Sequence, residues 1–462
     1  MTEVPIRFIE TPSGSREYRL TSPTTTDLGR LWIHEAQPVF PQAQRLLVTE
    51  HGVVLAGLTD FERSWAEGAA AFSPSSERPI TRDWIMNTMR KTVNISNNRG
   101  GKIKHEWIPD GEIPTKVVEF DPKDLETNII PPDQEALSKG GVTDKVLSIL
   151  MKGHFRRGSA QQREPFMDTL RSQIDSRTQE NEALQIILPS MPFKSPNPLN
   201  TNHSLDKVDL GEYLMMAQMR DLIESVRDVY APGIKVTLLT DGCLYADLFA
   251  DGDKKKAMQY EENLRRVRDE LGLREKVEIV DATWLTKREP QYEATKDHVR
   301  GIIKDLAATD EEFRGEIDVL SRGMFWNMAQ PDLCINGTAD LADSLDEPEN
   351  DGLKKDLSDK AMEYATILLT LSHLGLFSRA FPDALRGTIH PKEEPQVPLH
   401  LVNSKCNVLP YTGVPVVTAK HLDNGRTIRK STRILRYHEV LQNHDAQAVY
   451  RDGEDEPFYY EI

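Results

Sequence analysis

Lys194, Ser195 and Asn197 fall together in the stretch Ile186-Ile187-Leu188-Pro189-Ser190-Met191-Pro192-Phe193-Lys194-Ser195-Pro196-Asn197-Pro198. An ammonium, a hydroxyl and a carboxamide this close suit the binding of anionic and polar groups. Four prolines lie between positions 189 and 198. Each removes a backbone donor, fixes φ and biases its predecessor to extended geometry. The apolar run Leu184 to Leu188 reads as a short buried strand, so the prolines make a stiff loop at a strand end. Open α/β sheets place ligand chemistry at such ends. A proline-rich surface connection with a solvated lysine fits the position equally well.

Three further clusters carry chemistry. Asp241-Gly242, followed by Asp247, ends a second predicted strand. Arg386 and His390 share the strand Arg-Gly-Thr-Ile-His, where positions 386, 388 and 390 alternate onto one face. Ser321-Arg322 lies inside a predicted helix. A parallel sheet can bring the first two clusters to one edge. The resulting pocket, with two or three cations and a carboxylate, suits a phosphorylated or carboxylated substrate. Structural readings stand beside these: Arg386 pairing with a neighbouring acid, His390 as an ordinary strand-end residue, Asp241-Gly242 as a turn. His421-x-Asp423 offers two arms of an iron-binding triad, but it sits beside the Asn424-Gly425 turn and is rejected as a metal site. No HExxH, P-loop or GxSxG motif occurs.

The elements that must position these residues become regular from about residue 140. Helices are predicted at Val142 to Met151, Gln161 to Arg177, Leu210 to Tyr230 and Asp253 to Leu271. Strands are predicted at Leu184 to Leu188, Lys235 to Thr240 and Val277 to Val280. Alternating strands and helices with these connections predict an α/β fold, a Rossmann-like doubly wound, mostly parallel sheet with helices on both faces. No GxGxxG follows any strand, so neither NAD nor FAD is supported. Helices follow at Thr295 to Ala308, Phe313 to Met328 and Leu353 to Leu376, with a mobile acidic loop expected from Ala339 to Gly352. Strands then come at Leu385 to His390, Leu399 to Val402, Val414 to Thr418 and Thr427 to Ile428, with a hairpin at Asn424-Gly425.

Residues 1–135 read as an appended N-terminal α+β module of unknown role. It has two strands in Arg45 to Leu58, a short helix from Arg82 to Arg90 and a flexible loop from Asn94 to Gly101. A linker with five prolines runs from Pro109 to Asp133. Residues 140–462 are expected to form the main domain, which holds the four clusters.

The formal charge of −16 argues against nucleic acid and anionic membrane as partners. Three well-separated cysteines, Cys243, Cys334 and Cys406, fit a reducing compartment. No signal-peptide core or long apolar run is seen. A soluble cytoplasmic protein is expected.

At these clusters the sequence resembles the isocyanide synthase family, also called the pyoverdine/dityrosine biosynthesis family. The blocks that carry the resemblance are Pro192 to Asn197 (PFKSPN), Asp209 to Glu212 (DLGE), Thr240 to Leu248 (TDGCLYADL) with Tyr260, Ser321 to Met324 (SRGM), and Phe381 to Pro391 around Arg386. They run in order over about 320 residues and look like a fungal-type member. Gly387-Thr388 stands where the family usually has Leu-Ser. Pro410-Tyr411-Thr412-Gly413 stands where bacterial members tend to have Pro-Trp-His-Gly.

The resemblance implies conversion of an amino acid's α-amine to an isonitrile, with ribulose 5-phosphate as carbon donor and neither metal nor cofactor. It implies Lys194, Asp241 and His390 as catalytic candidates. Ser195, Asn197, Asp247, Arg322 and Arg386 are the substrate-binding ones, and Lys194 is a further candidate for a Schiff base with the sugar. Small molecules are the expected partners, with a homodimer left open. An N-formyl amino acid product, a non-catalytic sugar-phosphate-binding protein and, more distantly, a metal-dependent oxygenase are the rivals.

Overall fold

The computed structural model describes residues 6–10, 16–20, 45–49, 52–56, 80–97, 113–159, 164–190, 192–249, 253–328, 350–389, 395–421 and 427–462. The chain divides into two compact units. The first holds Met1–Thr81, Trp284–Lys296 and Thr370–Asp383; the second holds Arg82–Thr283, Asp297–Leu369 and Ala384–Ile462. In the first unit β1 (Ile6–Glu10) pairs antiparallel with β2 (Arg16–Leu20). β3 (Arg45–Thr49) pairs with β4 (Gly52–Ala56), the expected hairpin, with Thr49 opposite Gly52.

The second unit begins with α1 (Arg82–Asn97), so Asn94 to Asn97, expected in a flexible loop, are helical. Next come β5 (Thr115–Val118), α2 (Gln134–Lys139), α3 (Val142–Leu150) and α4 (Met167–Gln179). β6 (Leu184–Pro189), α5 (Leu210–Val229), β7 (Ile234–Thr240), α7 (Lys254–Glu270) and β8 (Val277–Asp281) follow as predicted, with a further helix, α6 (Gly242–Phe249), opening from the Asp241-Gly242 turn between β7 and α7. Then come the helices α8 (Thr283–Arg288), α9 (Tyr292–Thr309), α10 (Glu311–Met328), α11 (Asp351–His373) and α12 (Leu376–Ala380), of which residues 284–296 and 370–383 belong to the first unit. The single helix expected from 353 to 376 is therefore interrupted. Gly375 adopts φ 59°, a left-handed conformation that ends one helix and lets the next start in a new direction.

β6, β7 and β8 join β9 (Leu385–Thr388) and β10 (Val397–Pro398) in one sheet of order β10-β9-β6-β7-β8, with every pair parallel. The strand expected at Leu399 to Val402 is thus displaced to Val397–Pro398, and Leu399 forms a bridge to Arg156 instead. β6 comes first in the chain and lies at the centre. The chain adds β7 and β8 on one side, then β9 and β10 on the other. The order reverses between β6 and β9, which makes their carboxyl ends a topological switch point.

Both alternations of the strands are buried. Ile186, Leu188, Val236, Leu238 and Ile279 pack with α5 and α7, while Ile187, Leu239 and Val280 are buried on the other alternation. Parallel strands covered on two faces read as continuous apolar runs, which is why these were legible.

A second sheet has the order β12-β11-β14-β13-β5, built from β11 (Val414–His421), β12 (Thr427–Leu435), β13 (Gln447–Arg451), β14 (Tyr459–Glu461) and β5. Helix α13 (Tyr437–Leu441) lies between β12 and β13. β11 and β12 form the predicted antiparallel hairpin, although Asn424-Gly425 itself lies outside the described residues. One face of this sheet, through Val417, Val449 and Tyr459, joins the core of the parallel sheet.

The Pro109 to Asp133 stretch, read as a linker, is docked where it is described. β5 runs parallel to β13, and the Ile130 amide donates to Ser225 Oγ on α5 at 2.8 Å. The acidic stretch 339–349 lies outside the described residues. Among the described residues no helix is long and apolar enough to cross a membrane.

Candidate active site

Beyond β6 the proline loop closes on itself and on its neighbours. Lys194 is completely buried. Its Nζ donates to Asp209 Oδ2 at 2.8 Å and to the Pro410 carbonyl at 2.9 Å, with Glu212 Oε1 also at 2.8 Å. An ammonium has three donors, so all are taken.

The two carboxylates belong to the start of α5, where Asp209-x-x-Glu212 forms a reciprocal cap. Asp209 Oδ1 accepts from the Gly211 amide at 2.7 Å, and Glu212 Oε2 accepts from the Asp209 amide at 2.9 Å. Tyr260 of α7 donates its hydroxyl to Glu212 Oε1 at 2.9 Å. His203 stands 3.1 Å from Asp209 and 3.5 Å from Glu456.

Burial works against the Lys194 charge, yet Asp209 and Glu212 outweigh it and hold the ammonium protonated. Burial likewise opposes Asp209, but Lys194 and His203 keep it ionised. Burial and the neighbouring Asp209 push the Glu212 carboxyl up, against the pull of Lys194. Burial and Glu212 push the Tyr260 phenol well up. The result is a cross-brace between loop, helix and the turn at Pro410–Thr412.

The same holds for Ser195 and Asn197. The Ser195 amide donates to the Tyr411 carbonyl at 2.8 Å, and Ser195 Oγ accepts from the Asn197 amide at 3.3 Å and Asn200 Nδ2 at 3.2 Å. Asn197 Oδ1 accepts from the Leu199 amide at 2.9 Å. These contacts set the loop's shape. Lys194, expected to meet an anionic substrate group or a sugar carbonyl, is held charged with its donors filled, because α5 presents two carboxylates to it.

Asp241 has the opposite character. It follows β7, and its carbonyl accepts from the Leu244 and Tyr245 amides at 3.1 Å, opening α6. The residue is part-exposed, but Oδ1 is buried and has no hydrogen-bond partner among the described residues. Burial pushes its carboxyl up to about 7, helped by Asp281 and opposed by its own amide.

Asp281 ends β8 in register with Thr240 and accepts from the Thr283 amide at 2.9 Å and Thr283 Oγ1 at 2.6 Å. Gly242 cannot carry a side chain, since a Cβ there would lie 2.0 Å from the Pro192 carbonyl oxygen. The proline loop and the Asp241-Gly242 turn are therefore in contact, as the parallel sheet predicts. Ser190, at the end of β6, adds a second buried oxygen without a partner among the described residues.

The remaining candidates disperse. Arg386 is half-buried on β9, in register with Ile187. Counting two strand spacings across and four residues up the register puts its Cα about 16 Å from that of Asp241. His390 lies outside the described residues. Arg322 donates from Nε to Asp318 Oδ2 at 2.8 Å along the side of α10. Asp247 faces solvent and meets Lys254 Nζ at 2.8 Å. Thr412 donates from Oγ1 to the Leu409 carbonyl at 3.3 Å, closing its own turn.

Residues that the sequence did not single out are Ser190, His203 and Asp281. None belongs to a spaced motif; only strand-end position signals Ser190 and Asp281. Among the described residues no group of three or more His, Cys, Asp or Glu is arranged to hold a metal ion.

Over residues 174–434, more than half its length, the sequence matches the family described as pyoverdine/dityrosine biosynthesis protein. The chain belongs to that family. Among its relatives is the L-tyrosine isonitrile synthase of Pseudomonas aeruginosa, 26% identical over 242 residues that make up 51% of this chain and 70% of the relative. Another is the isocyanide synthase xanB of Aspergillus fumigatus, 27% identical over 320 residues, 64% of this chain but only 38% of that protein. An L-tyrosine isonitrile synthase of Xenorhabdus nematophila is 24% identical over 52% of this chain and 70% of its own length. The crystal structure of the PvcA protein from Pseudomonas aeruginosa superposes with a TM-score of 0.54 at 21% identity, covering 70% of this chain and all of that one. That likeness concerns the α/β fold.

Proposed function

We propose that this protein is an isocyanide synthase that converts the α-amine of an amino acid to an isonitrile, with ribulose 5-phosphate giving the carbon. The observation that supports this most is the Asp241 carboxyl at the carboxyl end of β7, whose Oδ1 is buried without a partner among the described residues, in a chain whose relatives carry isonitrile synthase names.

The chemistry asks for such a group. An α-ammonium must lose a proton before its nitrogen can attack a ketone, and the adduct must then lose water to give an imine. Later steps release fragments and phosphate through further proton transfers. A carboxyl titrating near neutrality takes a proton as a carboxylate and returns it as an acid within one turnover. Ser190 Oγ, on the adjacent strand end, orients the amine or the sugar hydroxyl. Arg386 and Arg322 are the candidates from the sequence for the substrate's anionic groups, with His390 a second acid or base. Lys194 acts by holding the loop in place.

The test is incubation of the protein with tyrosine, tryptophan or valine plus ribulose 5-phosphate, read by product mass. An isonitrile product supports the proposal. A product heavier by one water is the N-formyl amino acid. No product with any amino acid sinks both.

A further inference from the structure

At the carboxyl end of β10 the chain gathers cations. Residues 154–157 run antiparallel to 398–400: Arg156 bridges Leu399, the Arg157 amide donates to the Pro398 carbonyl at 3.0 Å, and the His400 amide donates to the Phe155 carbonyl at 2.7 Å. This pairing brings residues 154–157 beside His400 at one corner of the sheet, with Arg157 and His400 on one alternation and Arg156 beside Leu399 on the other. His154, Arg156 and Arg157 all act electrostatically on His400. Two imidazole nitrogens there, His154 Nε2 and His400 Nδ1, are buried without a hydrogen-bond partner among the described residues.

Arg156 donates from Nε to the Gly158 carbonyl at 3.2 Å and makes no ion pair among the described residues; Arg157 donates to the Asn407 carbonyl at 3.1 Å. Burial, then the charges of Arg157, His154 and Arg156, drive the proton off His400, to about 4. The carboxylate that faces His154, Asp221, is engaged by the Asn128 amide and side chain at 3.1 Å each. In a chain of formal charge −16, an arginine that makes no ion pair among the described residues, beside two buried imidazole nitrogens, suits an anion.

The position fits a substrate. Register runs Pro398, Thr388 on β9, then by the same offsets Pro189 on β6 and Leu239 on β7. Carried two residues past the last paired positions, the same register puts His400 and Asp241 three strand spacings, or about 14 Å, apart. The switch-point crevice between β9 and β6 lies between them.

We propose that His154, Arg156, Arg157 and His400 form an oxyanion site for the phosphate monoester of the sugar donor. This rests on the function proposed above. The phosphate docks under β10 and the reacting carbon reaches toward Asp241. Arg156 and Arg157 provide charge, and the two imidazoles provide the buried hydrogen bonds.

Calorimetric titration with ribulose 5-phosphate and with inorganic phosphate tests it, using the intact protein, Arg156→Gln, His400→Gln and, as a control at the other end of the row, Asp241→Asn. Melting curves establish that each variant is folded. The expected result is binding of ribulose 5-phosphate, competition by inorganic phosphate, and at least tenfold weaker binding in Arg156→Gln and His400→Gln, with a smaller change in Asp241→Asn. Unchanged sugar-phosphate affinity in folded Arg156→Gln and His400→Gln overturns the site while leaving the synthase reading intact. Phosphate binding that both variants abolish, in a protein that forms no product from any amino acid, keeps the oxyanion site and overturns the synthase reading. Absence of binding by either ligand overturns the site outright.

Discussion

At the scale of single residues, two buried ionisable groups have opposite fates. Asp241 is an uncompensated carboxyl. It titrates at about 3.9 in an unfolded chain and at about 7 here. The folded state therefore holds the proton more tightly, and the stability tied to it is full below pH 4 and lost as pH rises through 7. Asp241→Asn removes that loss, so between pH 5 and pH 8 denaturant titrations will show the wild type losing roughly 2–3 kcal/mol more than the variant. The same exchange removes the proton acceptor. Its kcat/KM should fall by roughly 10²- to 10⁴-fold, while the wild-type rate rises with pH through about 7.

Lys194 is the compensated case. Lys194→Met strands Asp209 and Glu212 in the interior, at a cost of about 3–5 kcal/mol measured by chemical denaturation. Borohydride treatment in the presence of sugar phosphate should leave Lys194 unmodified, because its three donors are occupied and its charge is held. The sequence located Lys194 through its prolines. It could not reveal that its partners come from a cap fifteen residues on and from a turn more than two hundred residues away.

At the scale of elements, the parallel sheet was legible because strands buried on both faces leave uninterrupted apolar runs, and the loops between them hold the expected turn residues. β10 was not legible, since two residues with a proline carry no periodicity. The proline loop and the β7–α6 turn were each visible, and the parallel sheet predicts that they meet at one edge, but not how closely. That contact hinges on Gly242. Gly242→Ala puts a methyl group 2.0 Å from the Pro192 oxygen, so the loop or the start of α6 must shift. Overpacking of this kind costs about 1–3 kcal/mol. Because Asp241 is the preceding residue, kcat should fall by more than the loss of folded protein explains. Activity normalised to the folded fraction, taken from melting curves, separates the two.

At the scale of the whole molecule, the stretch from 113 to 130 matters most. Its prolines and acids gave it the composition of a linker, and composition says nothing about docking by backbone groups. β5 pairs with β13, and the Phe120 ring lies 5.0 Å from Tyr213 and 4.7 Å from Phe458. The Asn128 amide and side chain both donate to Asp221, and the Ile130 amide donates to Ser225 Oγ. A chain starting at 82 keeps all of this; one starting at 136 loses it. In the second, which also loses α1 with its buried Ile85, Met86 and Met89, Asp221 loses these donors, at about 1–3 kcal/mol, and an aromatic cluster is opened, at about 3–5 kcal/mol. For a body of this size the sum lowers the melting temperature by roughly 10 °C or more relative to the chain starting at 82. The freed edge of β13 also favours aggregation. Differential scanning calorimetry with light scattering on both truncations measures each effect, and equal melting temperatures would mean that the docked stretch contributes nothing to the fold.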